Sequence, residues 1–115
     1  MDQRRAQRYN LELPLEIVRL GGKPVSRTEQ TRNISSGGVC FVSPAGAEVG
    51  GRIEYLITLH ASNPPVKIRC MGTVLRSFRP VGFSSQYEVA CTMERYSFVR
   101  FGEFENSSLT VEASA

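Results

Sequence analysis

The chain has 115 residues, enough to bury one core without covalent staples. Its 41% hydrophobic and 22% charged content are those of a globular domain, and a net charge of +3 excludes a polycation while leaving a small anionic ligand or a weak nucleic-acid contact open. Three scattered cysteines, Cys40, Cys70 and Cys91, form no C-x-x-C pair and read as buried thiols in a reducing compartment. No apolar h-region follows the basic start and no apolar run approaches the ~20 residues of a membrane helix, so the expectation is a cytoplasmic protein with no membrane insertion.

Residues 1–10 are polar and basic and read as a flexible arm. "LELPLEIVRL" then places Leu11, Leu13, Leu15 and Ile17 on one face, the alternation of a half-buried strand. Pro14 lacks a donor and predicts an edge strand or a break there. "GGKP" is a turn, Val25 to Arg32 a polar strand, "NISSGG" a loop and "VCFVS" a short strand. After the loop "PAGAEVGG", Ile53, Tyr55, Ile57 and Leu59 alternate. Beyond "ASNPP", Ile68, Cys70, Gly72 and Val74 share one side of the next strand, where Gly72 predicts a bulge or the close approach of another backbone. "QYEVACTM" is the last strand. Tyr96, Val99 and Phe101 stand near helical spacing and predict a short helix from about Arg95 to Phe104, followed by a frayed tail. Short strands separated by turn signals predict an all-β fold, a small antiparallel barrel or sandwich, with the C-terminal α-helix capping an opening or packing on its side.

The sequence nominates no catalytic group. His60, beside "SNPP", reads as a solvated loop residue, Asp2 is the sole aspartate, and no metalloprotease, P-loop or nucleophile-elbow motif appears. The expectation is a protein that is not an enzyme and holds no metal or cofactor.

Two elements remain. "RRAQR" contributes Arg4, Arg5 and Arg8. On its own it is either a solvated charge run or a phosphate clamp, because a guanidinium pairs two donors with a phosphate and stacks its face on a purine. In "NISSGG", Asn, Ser and Gly are ordinary turn residues. Alternatively Asn33 and Ser35, two apart, point the same way and read the edge of a base, with Gly37 and Gly38 letting the backbone approach it.

Taken in order, Arg4-x-x-x-Arg8 and Asn33-x-Ser35-x-x-Gly38 resemble the paired signature of PilZ domains, R-x-x-x-R followed by D/N-x-S-x-x-G. "PLEIVRL", "GGVCFVS", "GTVLRSF" and "YEVACTMERYSF" are similar to the family's strands in their order, so the resemblance runs from about Arg4 to Phe104. It implies a β-barrel over residues 11–104 with a C-terminal helix, a basic arm over 1–10 and a tail over 105–115. It also implies binding of the bacterial second messenger cyclic di-GMP. Arg4 and Arg8 would clamp phosphates and stack on guanine, with Arg5 adding a contact. Asn33 and Ser35 would hydrogen-bond a guanine edge or a phosphate, and Gly38 would supply backbone geometry. The ligand would fold the arm over the barrel and create a surface for a bacterial effector protein. Two other readings stay in view: a PilZ-like interaction module that binds no nucleotide, and a small barrel for single-stranded nucleic acid. The second lacks aromatics interleaved with basic residues. Arg76 reads as a solvated charge at a strand end and stands outside the expected site.

Overall fold

A computed structural model describes residues 7–59, 65–80, 85–100 and 111–112. Eight strands follow in chain order: β1 Pro14–Leu20, β2 Lys23–Ser35, β3 Gly38–Ser43, β4 Arg52–Leu59, β5 Val66–Phe78, β6 Tyr87–Thr92, β7 Arg95–Arg100 and β8 Val111–Glu112. All pairings are antiparallel, in the order β4-β1-β2-β3-β6-β5-β7-β8. A further pairing of β4 with β5 joins the ends of the first six strands into a closed barrel. The all-β barrel expected from the sequence is the fold.

Alternation builds the core. Leu15 and Ile17 of β1, Val39 and Phe41 of β3, Ile53, Tyr55 and Ile57 of β4, Cys70 and Val74 of β5, and Val89 and Cys91 of β6 point inward and are all but sealed from solvent. Fully burying a large apolar side chain stabilises the fold by about 1.5–3 kcal/mol. The buried Tyr55 hydroxyl donates to the Thr92 carbonyl at 3.0 Å. All three cysteines are free thiols, and burial pushes those of Cys70 and Cys91 up to about 12. Gly72 is where two backbones meet: a Cβ there would lie 1.9 Å from the Thr92 carbonyl oxygen. This is the close approach that the glycine predicts.

Outside the core, Arg52 and Thr73 tie the end of β6 down through Glu94. The carboxylate accepts from Thr92 Oγ1 at 2.6 Å, Thr73 Oγ1 at 2.8 Å and Arg52 at 3.0 Å, and these hydrogen bonds hold it at about 2.

Several local expectations change. Arg95–Arg100 form a strand, not a helix: they pair with Val66–Met71 of β5, and no helix occurs among the described residues. The reason is an open edge. β5 has 13 residues and runs along β4 on one side, but β6 covers its other side only from Val74 to Phe78. The uncovered ladder groups of the first half of β5 take β7 as a partner. Residues 101–104, which complete the expected helix, lie outside the described residues, as does His60. From the expected tail, Val111–Glu112 pair with Ser97 and Phe98 of β7. β1 is not an edge strand, since it lies between β2 and β4; Pro14 is tolerated because it is the first residue of the strand.

The turns are tighter than the sequence suggests. Gly21 and Gly22, at φ 61° and 83°, form a two-residue hairpin turn, and Lys23 and Pro24 already belong to β2. β2 runs on to Ser35, so the expected "NISSGG" loop shrinks to a turn at Ser36–Gly37 between the paired Ser35 and Gly38.

Candidate functional site

The site begins with an irregularity. Along β2, Val25, Arg27, Glu29 and Thr31 occupy alternate positions, and Thr31 lies opposite the core residue Phe41. Strict alternation would turn Asn33 and Ser35 inward as well. Instead the ladder slips between Thr31 and Asn33, where Arg32 is the extra residue, and the register resumes with Asn33 opposite Cys40, Ile34 opposite Val39 and Ser35 opposite Gly38. Ile34 therefore packs on the core, while Asn33 and Ser35 take the outer face. A bulge that re-aims side chains is a recurrent device beside functional sites.

The chain ahead of β1 runs beside this bulge. Tyr9 and Ile34 exchange backbone hydrogen bonds of 2.8 and 2.9 Å. Thr31 Oγ1 accepts from the Leu13 amide at 2.9 Å and donates to the Leu11 carbonyl, and the Thr31 amide donates to the Leu13 carbonyl at 3.0 Å. These bonds seat residues 9–13 along β2 in continuation of β1. They also carry Arg8 to Asn33, whose Oδ1 accepts a hydrogen bond from the Arg8 guanidinium. Two sequence elements 25 residues apart thus meet at one point on the barrel.

The remaining expected residues fall as follows. Ser35 is buried, and its Oγ accepts from the Gly37 amide at 3.2 Å, which stabilises the turn. The Gly37 carbonyl in turn accepts from the Met93 amide at 3.0 Å. Gly38 has a packing reason of its own: a Cβ there would stand 2.5 Å from the Cys91 carbonyl oxygen, so only glycine lets β3 and β6 close together. Arg4 and Arg5 lie outside the described residues.

A polar groove of about 290 Å³, lined by Asn10, Glu12, Arg32 and Asn33, borders the Arg8–Asn33 contact. The outer face beyond it is cationic. Arg32 pairs with Glu88 at 3.3 Å, and Arg76 of β5 lies on the same face. Their reach is registered at Cys40, the residue opposite Asn33. Burial and then Glu88 push its thiol up, while Arg76, Arg32 and Arg8 draw it down. Neither Arg32 nor Arg76 belongs to the motif read from the sequence. Nothing local marks them, because their direction depends on bulges in the ladders of β2 and β5. Among the described residues no group of three or more His, Cys, Asp or Glu side chains converges as a metal site.

The fold is thus a closed six-stranded antiparallel β-barrel, with an arginine from its N-terminal approach hydrogen-bonded to an asparagine of its outer face. The family model described as the PilZ domain matches residues 2–97, and the chain belongs to that family. Among solved structures, it is similar to the inhibitor of motility MotI/DgrA of Bacillus subtilis, with a TM-score of 0.68 and 19% identity over 82% of this chain. The match spans 44% of that protein, and the likeness is one of fold. No curated protein sequence matches the chain.

Proposed function

We propose that the protein is a receptor for cyclic di-GMP, acting as an adaptor that passes ligand occupancy to a bacterial effector protein. The observation that carries this reading is the Arg8–Asn33 hydrogen bond, which joins the two halves of the PilZ signature on a cationic face. Cyclic di-GMP is a dianion with two planar bases, and guanidinium groups match both its parts. Arg8, already held beside the barrel, would bind a phosphate or stack on guanine, and Asn33 would exchange its contact with Arg8 for the edge of a base. Arg4 and Arg5 would close over the ligand from the preceding residues. Ser35 would act chiefly through the turn it stabilises, and Gly38 through the strand approach it permits. No step of this mechanism makes or breaks a covalent bond, and none calls for a metal or cofactor.

Ordering the residues that carry Arg4 and Arg5 costs roughly 1–2 kcal/mol each in backbone entropy. The charge-assisted contacts must exceed that cost, so affinity should fall with rising salt. The surface created by arm, ligand and barrel would be what the effector recognises. This reading places the protein in the cytoplasm, where the messenger is made.

Calorimetric titration of cyclic di-GMP into wild type, Arg8→Ala and Asn33→Ala tests the proposal. Wild type is expected to bind at micromolar concentration or below. Hydrogen bonds to charged groups contribute about 1.5–3 kcal/mol, so Arg8→Ala should bind roughly tenfold to a hundredfold more weakly. Absence of wild-type binding would leave the family's other mode, an interaction module that needs no nucleotide.

A further inference from the structure

We infer that Arg76, on the far side of the barrel face from Arg8, is a second phosphate-binding residue of the same site, holding the opposite end of the cyclic dinucleotide. The inference rests on the cyclic di-GMP reading above.

Arg76 faces outward only because β5 is irregular. Cys70 and Val74 point into the core and Gly72 is buried between them, so strict alternation would send the side chain at position 76 inward too. The ladder with β6 slips between Val74 and Arg76, with Leu75 as the extra residue. Val74 remains opposite the core residue Cys91, and Arg76 comes to lie opposite Ala90 on the outer face, exposed. β2 and β5 thus each carry a bulge that turns a polar side chain, Asn33 or Arg76, onto the same face.

The two residues occupy one row across the sheet. Asn33 pairs with Cys40, Cys40 with Ala90, and Ala90 with Arg76. Adjacent strands lie about 4.8 Å apart, so the row spans roughly 14 Å. Its middle is made of small residues, Cys40 paired with Ala90 and Gly38 beside them. A flat ligand lying across this row would meet a cation at each end.

Charge supports the same reading. Arg8, Arg32 and Arg76 all act on the Cys40 thiol. Arg32 is paired with Glu88, and Arg8 rests on the neutral amide of Asn33. Among the described residues Arg76 has no hydrogen-bond or ion-pair partner. Glu88, the carboxylate of this face that also acts on Cys40, is engaged by Arg32, and an anion from outside would match the Arg76 guanidinium. Cyclic di-GMP carries two phosphates on opposite sides of one ring, so one can meet Arg8 and the other Arg76.

The test is calorimetric titration of cyclic di-GMP into the full chain carrying Arg76→Ala, Arg76→Lys or the distant Lys23→Ala, beside wild type and Arg8→Ala. Arg76→Ala should bind about tenfold or more weakly, with a shallower salt dependence. Arg76→Lys should recover part of the loss, and Lys23→Ala should match wild type. Because Arg76 is exposed, unchanged melting temperatures without ligand are expected. If Arg76→Ala binds within about twofold of wild type while Arg8→Ala fails, Arg76 is no ligand residue and the cyclic di-GMP reading stands. If wild type itself does not bind, both fall together.

Discussion

Glu88 is a carboxylate set among the guanidinium groups of the outer face. It pairs with Arg32 at 3.3 Å and is the charged group that most raises the Cys40 thiol. For a dianionic ligand it has two effects with the same sign: it repels the phosphates directly, and it occupies a cation that could otherwise attract them. At surface dielectric, each charge pair across this face is worth a fraction of a kcal/mol to about 1 kcal/mol. Glu88→Gln is therefore expected to tighten cyclic di-GMP binding about threefold to tenfold at low salt, with the gain shrinking as salt rises. Calorimetry at two ionic strengths checks this, and weaker binding by the variant would mean that Glu88 serves the site by positioning Arg32.

Among the elements, β5 is the one on which the others depend. It pairs with β4, β6 and β7, and its Gly72 lies where the end of β6 crosses closest. The obstacle to a side chain there is the Thr92 carbonyl, a backbone group that also accepts the Tyr55 hydroxyl. No rotamer change can relieve a clash with backbone. Gly72→Ala should destabilise the protein by about 3 kcal/mol, read as a lowered urea midpoint with an unchanged slope. The same strand explains the missing helix over Arg95–Arg100. Tyr96 and Phe98 fall on one face and Ser97 and Val99 on the other, so the segment carries a strand pattern too, and the open half of β5 selects it.

For the whole molecule, the described part of the site is built on the folded barrel rather than in the unfolded chain: Arg8 and Asn33 meet only through the ladder, and Asn33 and Arg76 align only across four strands. A ligand bound there stabilises the folded state by mass action. At a ligand concentration a hundredfold above Kd the gain is about 2.7 kcal/mol, which should raise Tm by roughly 10 °C for a domain of this size. Thermal melts with and without cyclic di-GMP measure it, and Arg8→Ala should show little of the shift.

Much of this architecture was legible in the residues themselves. The alternation of Leu15 and Ile17, of Ile53, Tyr55 and Ile57, and of Cys70 and Val74 specifies strands and their buried faces, because a period of two reflects backbone geometry alone. Gly72 announced a close backbone approach, and the spaced arginines and "NISSGG" announced the motif. What the linear pattern could not hold is which way the site residues face. Asn33, Ser35 and Arg76 all lie beyond a bulge, and one extra residue reverses every side chain that follows. Whether a strand bulges is decided by the ladders on both its edges, and whether Arg95–Arg100 extend is decided by the open edge of β5 at Val66–Met71, far back along the chain. Sequence alone therefore determined the core and the motif residues, and tertiary pairing decided the face on which they lie, because hydrogen-bond register is a property of two strands and never of one.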